Sequence, residues 1–104
     1  MRKALIVGIN EYPQNKLTGC INDAKEIANL LEYHGNGIKN FDVDLEINIK
    51  KKSELKGKIK ELFAGDEEVA LFYFSGHGYL DETGGYLVTP DYVENDMGVD
   101  FTYI

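Results

Sequence analysis

The sequence is short of the residues that build disulfides, cationic surfaces and membrane spans. Cys20 is its only cysteine, so no disulfide can form within the chain and a reducing, cytoplasmic setting is expected. Arg2 is its only arginine, and the formal net charge of -7 argues against a nucleic-acid surface. The lysines that are present cluster at Lys50, Lys51 and Lys52, where they read as a solvated connection ahead of a helix. Only six apolar or small residues, Ala4 to Ile9, separate Lys3 from Asn10, too few for a signal-peptide core or a membrane span. Internal repeats and low-complexity tracts are absent too. What remains is a chain of 104 residues with 43% hydrophobic composition, which fits one domain with a modest core.

Ala4 to Ile9 is an unbroken apolar run ended by Asn10, Glu11, Tyr12 and Pro13, the pattern of a strand buried on both faces. Ile21, Ala24, Ile27, Ala28 and Leu31 recur at three- and four-residue steps, which predicts a helix stopped by Gly35 and Gly37. Val43, Leu45, Ile47 and Ile49 alternate with polar residues, as in a strand with one wet face near a sheet edge. Ser53 is the expected N-cap of a second helix carrying Leu55, Ile59, Leu62 and Phe63, with Gly65 beyond it. Val69 to Phe74 is a second fully apolar strand. Gly84 and Gly85 then introduce a short Tyr86 to Val88 strand, part of a hairpin that Pro90 and Asp91 close.

This order predicts an α/β fold with a parallel sheet and right-handed crossovers. The alternating strand belongs outside and the apolar ones inside, giving the spatial order second, first, third. The topological switch point then lies between the first strand and the third, and ligands of such sheets bind there. The loop after strand one, which runs through Cys20 to Asp23, and the loop after strand three are expected to flank the same crevice. The third strand is left with an apolar, unpaired edge, which complete domains avoid. Val99, Phe101, Tyr103 and Ile104 are apolar as well. A segment after Ile104 is therefore expected to complete the sheet, and the isolated chain is expected to self-associate or to need a partner segment.

The loop after strand three reads Ser75, Gly76, His77, Gly78. Its glycines allow a sharp turn and a close approach to the imidazole, and His77 stands exposed where catalytic groups collect. The alternative is a turn whose histidine is solvated or bonded to a neighbouring carbonyl.

KALIVGIN, LTGCINDA at Leu17 to Ala24, ALFYFSGHG and GGYLVTPD together resemble the amino-terminal part of the caspase-like cysteine peptidases, in the metacaspase and orthocaspase branch. The resemblance covers nearly the whole chain in order. It implies a three-layer caspase-like sandwich and a Cys-His dyad that hydrolyses peptide bonds, with His77 as the histidine. The family's nucleophile follows the next strand in a segment resembling Asp-x-Cys-x-Ser-Gly, and no such segment occurs here. Residues 1–104 are thus expected to be a single partial catalytic domain, inactive until completed by the missing carboxy-terminal half, with peptides or proteins as substrates. A non-catalytic pseudo-peptidase or split interaction module is the alternative.

In such a dyad a thiolate attacks the carbonyl while imidazole accepts and returns the proton. Gly78 resembles the position whose backbone N–H helps hold the oxyanion. Asp23 resembles the aspartate lining the pocket for an arginine or lysine side chain, Ser75 another residue near it, and Cys20 a cysteine beside the site that is not the principal nucleophile. Asp23 can equally be a helix first-turn carboxylate favoured by the dipole, and Cys20 a small packing residue. Many metacaspases are calcium-activated, and Asp81, Glu82, Asp91, Glu94, Asp96 and Asp100 are hard oxygen donors. Phe101 stands, however, where a paired-aspartate element would carry its second acid. No EF-hand spacing and no Cys/His set for zinc is present.

Overall fold

The computed structural model describes residues 2–104. Strand β1 (Arg2–Gly8), helix α1 (Cys20–Glu32), strand β2 (Asp42–Ile47), helix α2 (Lys52–Phe63) and strand β3 (Val69–Ser75) form the parallel part, with strand order β2-β1-β3. Strands β4 (Gly78–Asp81), β5 (Gly84–Val93) and β6 (Asp96–Asp100) form a second, antiparallel sheet, followed by a short 3₁₀ turn at Phe101–Tyr103. The α/β fold and the 2-1-3 order expected from the sequence are both present.

β1 is the hinge of the packing because it is hydrogen-bonded on both sides, with Ile6 opposite Leu45 on one flank and Tyr73 on the other. Its alternate side chains feed two cores. Leu5 and Val7 join Leu55, Ile59 and Leu62 of α2 and Val88 and Val99 of the small sheet, whereas Ala4 and Ile6 join Ala24 and Ala28 of α1. The three layers are therefore α1, the parallel sheet, and α2 with the antiparallel sheet. Fully buried aliphatic side chains of this kind contribute about 1.5–3 kcal/mol each.

Several local expectations change. β3 is half-buried along most of its length rather than enclosed, because among the described residues only β1 pairs with it. The expected short strand is β5, ten residues long, and it runs through Pro90 instead of stopping there. The missing proline N–H is accommodated where the β5–β6 register shifts, between Val88 and Val93. β6 begins and ends on Asp96 and Asp100, two of the acids considered as oxygen donors for calcium.

α1 ends at Glu32, before either glycine. Asn40 and Phe41 donate their N–H groups to the Glu32 and Leu31 carbonyls, so the returning chain closes the helix. α2 starts at Lys52, and Ser53 lies within it instead of capping it. The cap comes from β5: both Asp91 carboxylate oxygens lie 3.1 Å from the Lys52 N–H. Lys52 is tied down further by its ammonium, 2.7 Å from the Asp96 carboxylate, so it is not part of a solvated connection.

Candidate active site

The site forms where β1 and β3 end side by side. Ile9 N–H donates to the Ser75 carbonyl at 2.9 Å, carrying the pairing one step past the strands, and the two chains then part. Four asparagine contacts hold the diverging chain. Asn48, in the left-handed region at φ 57°, accepts from the Asn10 and Glu11 N–H groups at 3.0 and 3.3 Å. Asn10 in turn accepts from the N–H groups of Cys20 and Ile21 at 3.0 and 3.4 Å. Gly19 has no side chain to cap α1, and the Asn10 amide takes that place from ten residues upstream.

That arrangement puts Cys20 and Asp23 in the first turn of α1 and not in a loop. Cys20 is half-buried and close enough to the Tyr12 hydroxyl to influence its ionisation. Asp23 is exposed. Ser75 closes β3 opposite Gly8, and its side chain is half-buried.

His77 is half-buried rather than exposed. Its Nε2 lies 2.6 Å from the backbone carbonyl oxygen of Asn15, a residue at φ 56°. A carbonyl can only accept, so Nε2 carries the proton of this bond and the basic lone pair of the neutral ring falls on Nδ1. The histidine bonded to a neighbouring carbonyl, one of the two arrangements expected from the sequence, is the one present. The imidazole opens on a cleft of about 150 Å³ between Gln14, Tyr79, Val88, Tyr92 and Met97.

The two glycines beside His77 differ in their use. A Cβ on Gly76 would come within 2.5 Å of the Tyr12 hydroxyl and 2.8 Å of the Phe74 ring, so this position must be bare. Around Gly78 the nearest atom to such a Cβ is 3.8 Å away, and neither glycine adopts positive φ. Gly78 faces Leu87, next to the bonded pair of His77 and Val88. Bonded and non-bonded pairs alternate in an antiparallel ladder, which turns the Gly78 N–H away from β5 toward the open edge of β4.

Tyr12, Asn10, Asn15 and Asn48 were read from the sequence only as turn formers or not at all. The signal available was an asparagine-rich loop directly after a buried strand, since asparagine tolerates left-handed backbone and caps helices. Among the described residues no group of three or more His, Cys, Asp or Glu side chains is placed to hold a metal ion. Asp100 is engaged through one carboxylate oxygen by the Thr102 N–H and hydroxyl, both 2.9 Å away.

The chain is 32% identical to Metacaspase-1 of Mycosarcoma maydis over 101 residues, covering 82% of this chain and 25% of that protein. It spans about a quarter of the length of this curated relative. The family model of the caspase domain, Peptidase C14, matches residues 1–103, and by that match the chain belongs to the caspase-domain family.

Proposed function

We propose that this chain is the histidine-bearing part of a cysteine endopeptidase that cleaves after arginine or lysine. The observation that carries the reading is the 2.6 Å bond from His77 Nε2–H to the Asn15 carbonyl, which leaves Nδ1 as the nitrogen that takes a thiol proton and returns it to the leaving amine. The thiol itself is expected from outside residues 1–104, since no segment resembling Asp-x-Cys-x-Ser-Gly occurs among them and Cys20, the only cysteine, lies instead in the first turn of α1. A further strand carrying it is expected to pair with the open edge of β3, whose half-buried apolar side chains it would cover.

The Gly78 N–H, turned out from the β4 edge, supports its assignment as an oxyanion donor. Asp23 supplies an exposed carboxylate for a basic substrate side chain, and Ser75 and Cys20 are the further residues this reading assigns near that pocket.

The test is cleavage of peptides carrying Arg, Lys or Asp before the scissile bond, by the protein in its full natural length. Cleavage after Arg and Lys is expected, with kcat lowered about 10²–10⁴-fold by His77→Ala. Cleavage only after Asp overturns the specificity. No His77-dependent cleavage by the folded protein overturns the peptidase reading in favour of a non-catalytic module.

A further inference from the structure

The ladder between β4 and β5 is broken open where it reaches the histidine. His77 and Val88 are the pair that follows Gly78 and Leu87, and the Val88 N–H donates to the His77 carbonyl at 2.9 Å. A bonded antiparallel pair exchanges a second bond in the opposite direction. Here that bond is not direct. The His77 N–H donates to the Tyr12 hydroxyl at 3.0 Å, and the same hydroxyl donates to the Val88 carbonyl at 3.0 Å. A phenol oxygen from the loop after β1 is therefore inserted into the rung.

The insertion is built and not incidental. Tyr12 is 1% exposed, and its ring centroid lies 4.5 Å from that of the imidazole, at 59°. The bare Gly76 leaves the space its hydroxyl occupies. Both polar roles of the hydroxyl, acceptor and donor, are satisfied within the site. A ring needed only for packing would require none of this.

We propose that Tyr12 is a positioning residue for His77: its inserted hydroxyl holds the histidine backbone off the β5 strand, and so fixes the direction in which the imidazole presents Nδ1. The inference rests on His77 being the proton carrier of the peptidase reading. Without the hydroxyl, the rung closes directly or leaves the His77 N–H and the Val88 carbonyl unpaired. Direct closure draws the His77 backbone toward β5 and displaces the imidazole from the Asn15 carbonyl, and the unpaired alternative is the costlier of the two. Burial pushes the Tyr12 hydroxyl up to about 12, so it keeps the proton it donates throughout the neutral range.

The test is nitrogen-15 NMR of the imidazoles in the protein and in Tyr12→Phe, with His34, the only other histidine, as internal reference. In the unsubstituted protein His77 is expected to show a single Nε2–H tautomer, and the Tyr12 hydroxyl proton a cross-peak to the His77 amide. In Tyr12→Phe the single-tautomer pattern of His77 is lost while His34 is unchanged. An identical His77 pattern in the two proteins overturns the proposal. If Tyr12→Phe does not fold, absence of the hydroxyl-to-amide cross-peak from the unsubstituted protein overturns it equally.

In the full-length enzyme Tyr12→Phe is expected to lower kcat about tenfold to a hundredfold, with KM held. Unchanged kcat overturns the positioning role. A wild-type enzyme that cleaves nothing defeats the peptidase reading, and the imidazole spectra still decide whether Tyr12 sets the ring.

Discussion

Gly8 and Cys20 meet backbone to backbone: a Cβ on Gly8 would lie 2.7 Å from the Cys20 carbonyl oxygen and 2.8 Å from the Ala24 Cβ. The end of β1 and the opening turn of α1 can approach this closely only because no side chain stands between them. Gly8→Ala is expected to lower stability by about 1–3 kcal/mol, the usual cost of overpacking. Urea unfolding monitored by circular dichroism measures it; an unchanged midpoint would show that α1 can slide away at no cost.

The carboxylate of Asp91 caps α2 from a strand 39 residues downstream and is itself held by the buried Thr89 hydroxyl at 2.7 Å. Asp91→Ala is expected to cost about 0.5–2 kcal/mol, as for loss of an N-cap, and Asp91→Asn distinctly less. Equal destabilisation by the two substitutions, read from thermal midpoints, would place the effect elsewhere than in the cap.

Tyr12 predicts an alkaline transition. Burial, the largest influence, and the nearby Cys20 raise its hydroxyl from 10.0 to about 12, against the His77 N–H, which lowers it. The folded state then holds a proton that the unfolded chain releases, so stability is full below about pH 10 and falls between about pH 10 and 12. Lys58, raised by its contacts with Glu46 and Asp44, loses its contribution in the same direction. Tyr12→Phe should flatten the alkaline slope, leaving the Lys58 part; a slope unchanged by the substitution would assign the whole transition to other groups.

Asp44 and Glu46 lie on one face of β2 and share the Lys58 ammonium, at 3.4 and 3.3 Å. Glu46 is raised above the usual carboxylate range, first by its hydrogen bond with Asp44, and Lys58 opposes that shift. A raised acid binds its proton more tightly when folded, so its contribution falls as pH rises through the carboxylate range. Lys58→Met removes the opposing charge. It is expected to steepen that fall and to cost at most about 1 kcal/mol at neutral pH, because the group is solvated. Parallel stability profiles from pH 3 to 7 would contradict this.

Hydrophobic pattern made the large features legible. The apolar runs at Ala4–Ile9 and Val69–Phe74, the periodic face of α1 and the alternation in β2 were enough for the sheet order and its switch point. The histidine loop was legible from Gly76, His77 and Gly78. Hidden from that pattern were contacts whose partners are far apart in sequence, such as Asp91 on Lys52, Asn10 on Cys20, and Tyr12 between His77 and Val88. A cap supplied from another element leaves no local signature, so Ser53 looked like the better candidate. Pro90 was read as a stop because a proline breaks a ladder, whereas here it sits where the register already shifts.

Tyr12 and the carbonyl it bonds are 76 residues apart. Non-local contacts of this kind are closed late, after local helices and turns. During synthesis the chain can therefore form α1 and α2 and pair β1 with β2 before the rung at Val88 exists. The imidazole gains its final support only once β5, the second strand of the antiparallel ladder, has left the ribosome and folded back, so a nascent chain shorter than this carries the histidine without its bearings. Assembly order thus withholds an oriented imidazole from incomplete chains.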